Sequence, residues 1–119
     1  MKLTGDKKNR IESQCKPLIE KLKSQYVLKN PDKKYIYLVD IYIKWYRDYL
    51  YFCGKYKSEN PDRFVDKFEY KFVRFKIIEP DSIEISYMRH TQKWFLIARG
   101  LTLNECLKMI EDTPTFQPF

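Results

Sequence analysis

The side chains best suited to chemistry in this chain are few and scattered. Its one histidine, His90, sits in the run Arg89-His90-Thr91-Gln92-Lys93-Trp94. A general base needs a partner within hydrogen-bonding reach and a pocket. A run this polar reads instead as a solvated turn. Cys15, Cys53 and Cys106 are far apart and odd in number, with no CxxC or zinc spacing. They read as buried free thiols of a reducing compartment. The three glycines, Gly5, Gly54 and Gly100, form no phosphate-cradling loop, and no Gly-x-Ser-x-Gly elbow is present. Carboxylates are plentiful without a recognisable pair or calcium loop. The sequence therefore assigns no catalytic residue, metal ligand or cofactor. An enzyme whose site assembles only in three dimensions ranks third among the functional readings.

Binding chemistry is better represented. Aromatic residues make up 17% of the chain, with ten Tyr and eight Phe, and the net charge is +7. The first reading is a non-enzymatic module for single-stranded nucleic acid. Lys21 and Lys23 on a basic helix would meet phosphates, while Tyr42, Tyr46 and Trp94 would stack on unpaired bases. A hairpin turning at Thr91-Gln92 sets Arg89 opposite Trp94, a cation–π contact of about 0.5–2 kcal/mol. The same register sets Tyr87 opposite Leu96 and Ile85 opposite Ala98, leaving Met88, Phe95 and Ile97 on the other face. That hairpin is apolar on both faces, so each must be covered. Two helices on opposite sides would do so, or one helical layer and a partner. The second reading is accordingly a protein-interaction module, a homodimer through Met88, Phe95 and Ile97.

The charge is unevenly spread. Residues 1–34 hold ten Lys or Arg against four Asp or Glu, and residues 35–119 hold thirteen against twelve. The basic excess thus precedes the strands, which argues for a helical phosphate contact over a basic sheet.

These side chains must be positioned by one domain spanning residues 1–119. A chain of this length buries roughly two thirds of its unfolded surface and needs no staple. Residues 1–10 are polar and expected to fray. Ile11, Cys15, Leu18, Leu22 and Tyr26 follow at helical steps, interrupted by Pro17. Either a kinked helix spans about 7–28, or the helix proper begins at Pro17. Asn30-Pro31-Asp32 ends it. Tyr35–Tyr46 and Tyr49–Tyr56 read as strands joined at Arg47-Asp48, with a bulge at Gly54. A loop over 57–63 leads to a long strand, Phe64–Ile78. Its inward phase shifts from Phe68, Tyr70 and Phe72 to Val73, Phe75 and Ile77, which a bulge near Phe72-Val73 reconciles. Glu79-Pro80-Asp81-Ser82 turns into a fourth strand, Ile83–Met88, and Trp94–Ile97 forms a fifth. Thr102-Leu103-Asn104-Glu105 is a capping box opening a helix whose buried face is Leu103, Leu107 and Ile110. Thr113-Pro114 ends it, and Phe116 and Phe119 tuck the C-terminus against the core. The expected fold is α+β: an N-terminal helix, a mostly antiparallel sheet of about five strands, and a C-terminal helix packed on the sheet.

Met1-Lys2-Leu3-Thr4-Gly5-Asp6-Lys7-Lys8 contains no apolar stretch of a signal peptide, and no apolar run reaches the ~18 residues of a membrane span. The expectation is a cytoplasmic protein without a membrane partner. Tyr87-x-Arg89, then Lys93-Trp94, then Leu103, Glu105 and Leu107 leading to Ile110-Glu111-Asp112 and a terminal Phe, resemble a family of short bacterial α+β proteins known as a domain of unknown function. The resemblance extends back to Asn60-Pro61 and the Phe68–Phe75 strand. It departs at Tyr87-Met88, where the family has a Trp before its Arg, and at Phe95, where it has a His. It implies the fold and the compartment, and no activity.

Overall fold

A computed structural model describes residues 4–27, 37–57, 67–79, 81–88, 93–113 and 116. The elements run α1 (Gly5–Tyr26), β1 (Tyr37–Tyr46), β2 (Tyr49–Lys57), β3 (Lys67–Glu79), β4 (Ser82–Met88), β5 (Trp94–Leu101) and α2 (Leu103–Asp112). The five strands form one antiparallel sheet in the order β1-β2-β3-β4-β5. The expected α+β fold is the observed one.

Helix α1 starts earlier than its polar first residues suggest. Thr4 caps it, its hydroxyl accepting from Lys7 N at 3.3 Å, and Asp6 in the first turn suits the positive end of the helix dipole. The helix continues through Pro17, which faces solvent. Ile11, Cys15, Leu18, Ile19 and Leu22 turn inward. The Trp45 indole donates to Glu12 Oε1 at 2.7 Å, and Lys8 Nζ lies 5.0 Å from the same ring, so α1 is tied to β1.

Helix α2 has the expected capping box. Thr102 Oγ1 accepts from Glu105 N at 3.2 Å, and Glu105 Oε1 accepts from Thr102 N at 3.0 Å. Its buried face is Leu103, Cys106 and Ile110, with Leu107 only partly covered. Phe116 is buried and meets Tyr87 edge-on. Phe119 and the Asn30-Pro31-Asp32 stop lie outside the described residues.

Both helices cover the same face of the sheet. Their inward side chains share one core with Ile41, Leu50, Phe52, Phe75, Ile83 and Ile85, and Lys21 of α1 pairs with Glu111 of α2. The alternative of helices on opposite sides is therefore not the one this chain adopts.

Register shifts set the faces. Phe52 pairs with Val73 and Cys53 with Lys71, so Phe72 is the extra residue of a bulge, and both Phe72 and Val73 are buried. This is the expected bulge, and it aims Lys67, Glu69 and Lys71 to the same side as Arg74 and Lys76. At Gly54 the strand pairing is regular instead of bulged. Glycine is needed there for a close approach, since an added Cβ would lie 3.0 Å from both Leu38 Cδ1 and Tyr56 Cε2. In the last hairpin Met88 pairs with Trp94, Tyr87 with Phe95 and Ser86 with Leu96; only Ile85 opposite Ala98 matches the sequence register. This pairing is offset by one residue from the register of a Thr91-Gln92 turn, and a shift at Ile97 restores the phase.

Candidate functional site

The face of the sheet that neither described helix covers, called the open face below, collects Tyr42, Lys44 and Tyr46 from β1, Tyr49, Tyr51, Cys53 and Lys55 from β2, Glu69, Lys71, Arg74 and Lys76 from β3, Glu84, Ser86 and Met88 from β4, and Trp94 and Leu96 from β5; Cys53 and Ser86 are buried among their neighbours. Strand alternation puts them there. Lys44, Tyr51, Arg74, Ser86 and Leu96 lie in one cross-strand row. Tyr46, Tyr49, Lys76 and Glu84 lie in the next.

Aromatic and cationic groups interleave across these rows. Tyr49 and Tyr51 have ring centroids 6.1 Å apart, and Tyr51 and Trp94 5.8 Å apart. The Arg74 guanidinium stands 4.9 Å from the Tyr49 ring and 4.8 Å from the Trp94 ring, bridging β2 and β5. Lys76 lies 6.0 Å from Tyr49 and Lys71 5.8 Å from Tyr51. At the hairpin corner Arg47 covers Tyr46, which is 59% exposed. Arg47 takes φ 53, so this corner holds a non-glycine residue in the left-handed region. A backbone hydrogen bond of 2.9 Å from Ile77 N to Asp48 O ties the turn to β3.

One end of the face is organised by Glu69. Its carboxylate accepts from Lys44 Nζ at 2.9 Å and lies 3.7 Å from Lys71 Nζ. Lys44, then the hydrogen bonds from Tyr42 and Cys53, outweigh its partial burial and hold the carboxyl at about 2. The same contact raises Lys44. Burial, reinforced by Glu69, pushes the Tyr42 phenol up and the Cys53 thiol to about 12. Burial also pushes Cys15 and Cys106 to about 12. All three thiols are thus protonated at neutral pH and are poor nucleophiles. Among the described residues no group of three or more His, Cys, Asp or Glu side chains converges as a metal site.

A family model for a domain of unknown function, DUF3024, matches residues 3–118. The chain belongs to this family. No curated protein and no solved structure matches it. The match extends the resemblance seen in the last two thirds of the sequence to nearly the whole chain.

In this DUF3024 domain the sequence-selected residues divide between two sides. Tyr42, Tyr46 and Trp94 share the open face. Lys21 and Lys23 do not join them. They lie on α1 behind the sheet, where Lys21 pairs with Glu111 and Lys23 with Asp40 at 3.2 Å and Glu20 at 3.8 Å. Arg89 and His90 lie outside the described residues; among the described residues Arg74 is a cation over Trp94. Met88 and Phe95 fall on opposite faces, because Phe95 pairs with Tyr87 on the helix side while Met88 pairs with Trp94. Ile97 lies in the register shift of β5 and is 40% exposed.

Sequence reasoning missed Tyr49, Tyr51, Arg74, Lys71 and Lys76. The balance of charge along residues 35–119 concealed them. Of the described carboxylates in that span, Asp48, Glu79 and Asp81 sit at hairpin ends and Glu105, Glu111 and Asp112 on or beside α2. Asp40, opposite Lys55 at the start of β1, is engaged by Lys23 of α1, and the open face otherwise keeps Glu69 and Glu84 against Lys44, Lys55, Lys71, Arg74 and Lys76. Strict alternation in Tyr49-x-Tyr51 and Arg74-x-Lys76 was the available signal. No helix of the described residues is long and apolar enough to cross a membrane.

Proposed function

We propose that this domain binds single-stranded nucleic acid across the open face of its sheet. The observation that carries the reading is the lattice in which Arg74 bridges Tyr49 and Trp94, with Tyr51 against Trp94 and Lys71 and Lys76 alongside. Aromatic faces stack on bases of any sequence, and adjacent cations follow the phosphates. A broad sheet fits the grooves of a duplex poorly, whereas unpaired bases splay onto it. Stacking is worth about 1–3 kcal/mol per base, so Trp94→Ala and Arg74→Gln should each weaken binding by roughly one order of magnitude. Anisotropy titration of labelled dT and rU decamers at low salt measures this beside circular dichroism of each variant. A folded wild type that binds neither decamer overturns the proposal.

A second reading, self-association, is favoured by one observation. The outer strand β5 exposes Phe95, Leu96 and Ile97 at 43%, 37% and 40%, and apolar side chains on an edge strand favour association with another chain. Such a dimer would be insensitive to salt and would fail with Phe95→Lys. A wild type sedimenting as a monomer at high concentration eliminates it.

A further inference from the structure

On the open face, a hollow of about 550 Å³ is bounded by Lys44, Tyr46, Tyr51, Lys71, Met88 and Trp94. Its size falls within the range of about 300–1,000 Å³ typical of small-ligand sites. Its walls combine two kinds of group. Tyr51 and Trp94, tilted 45° to each other, and the thioether of Met88 offer a polarisable apolar lining. Lys44 and Lys71 stand at the rim, one from β1 and one from β3, and the same carboxylate, Glu69, lies within 2.9 and 3.7 Å of their ammonium groups. Two cations facing one carboxylate leave a positive excess beside an aromatic socket. Glu69 thus occupies the position that an anionic ligand group would take between the two lysines.

We infer that this hollow is the anchoring subsite of the nucleic-acid face: one base seats against Tyr51, Trp94 and Met88, and its phosphate replaces Glu69 between Lys44 and Lys71. The inference rests on the function proposed above and adds its geometry. The strand is held first at one nucleotide, and Arg74, in the row of Lys44 and Tyr51, with Tyr49 and Lys76 in the next row, extends the contact on one side. The chemistry required is a planar ring joined to a phosphate. An acidic peptide lacks the ring, and free phosphate lacks it too, so neither should satisfy the site. Glu69 then acts as an internal competitor. Removing its charge frees both lysines for the ligand, and affinity should rise instead of fall.

The test uses the full chain, the labelled dT decamer, AMP and UMP as single-nucleotide competitors, and inorganic phosphate and a poly-glutamate peptide as controls. Glu69→Gln should tighten decamer binding several-fold. It should also steepen the salt dependence, since each further phosphate contact adds about 0.7 to the slope of log affinity against log salt. AMP or UMP should displace the decamer at concentrations where phosphate and poly-glutamate do not. Lys44→Gln and Lys71→Gln supply an independent arm should Glu69→Gln fold poorly: each should weaken mononucleotide competition by tenfold or more. Decamer binding that persists while Glu69→Gln leaves affinity unchanged or lower, or while mononucleotides compete no better than phosphate, overturns the anchoring subsite and leaves the general face intact. Displacement by poly-glutamate as effective as by AMP overturns it in favour of an acidic protein partner. A wild type that binds no decamer overturns both.

Discussion

Lys44, Tyr42 and Cys53 converge on one carboxylate, and the consequence for Glu69 is readable in acid. Its folded-state value of about 2 lies below the ordinary 4.5, chiefly through Lys44. A depressed carboxyl stabilises the fold above its unfolded value, and that contribution is lost as pH falls from about 4.5 towards 2. Urea midpoints measured across this window should therefore decline in the wild type, and the decline should be shallower in Glu69→Gln. Equal slopes would show that the carboxylate has no such role. Because Glu69 is partly solvated, screening keeps the effect modest. The four side chains of this cluster come from three strands. Nothing in the spacing of Tyr42, Lys44, Cys53 and Glu69 announces that they meet, because register across strands decides it. The capping box of Thr102 and Glu105 was legible for the opposite reason: both partners lie within one helical turn, so their types and spacing suffice.

Between elements, legibility followed how many faces of a segment are apolar. Strand β3 alternates cleanly on either side of Phe72-Val73, and with only one face committed to the core a bulge was the way to keep both halves inward; the paired register bears this out. In β4 and β5, Tyr87-Met88 and Trp94-Phe95-Leu96-Ile97 are apolar at successive positions. Either register buries something, so the pattern cannot choose, and the pairing of Met88 with Trp94 had to come from the structure. Helix α1 shows propensity overridden by packing. Pro17 interrupts the local signal, yet Ile11, Cys15, Leu18, Ile19 and Leu22 keep one buried stripe on both sides of it. Proline inside a helix costs about 3 kcal/mol relative to alanine, part of which it returns by restricting the unfolded chain. Since Pro17 faces solvent, Pro17→Ala loses no core contact and should raise stability by roughly 2 kcal/mol. Chemical denaturation of the two proteins decides this; an unchanged or lower midpoint would mean that α1 is shaped around the proline.

At the scale of the molecule, the chain places its charge on two surfaces that the sequence balance merges into one number. The helical side carries the N-terminal lysines, and two of them are used internally: Lys21 holds α1 to α2 and Lys23 holds α1 to β1. Exposed pairs of this kind stabilise little, and Lys71 is held the same way by Glu69 at 3.7 Å, so pairing alone does not separate the two sides. The sheet side carries Lys71, Arg74 and Lys76 among aromatic rings. The two sides make opposite predictions under salt. Binding to single strands weakens linearly in log salt with a slope of about −0.7 for each phosphate neutralised. Lys71→Gln with Lys76→Gln should therefore reduce the magnitude of that slope by about 1.4, whereas Lys21→Gln with Lys23→Gln should leave it unchanged and lower the urea midpoint slightly. Titrations of the dT decamer at four salt concentrations on wild type and both double variants separate the surfaces. If the helical pair flattens the slope and the sheet pair does not, the phosphates lie against α1, and the aromatic face must be assigned to another partner.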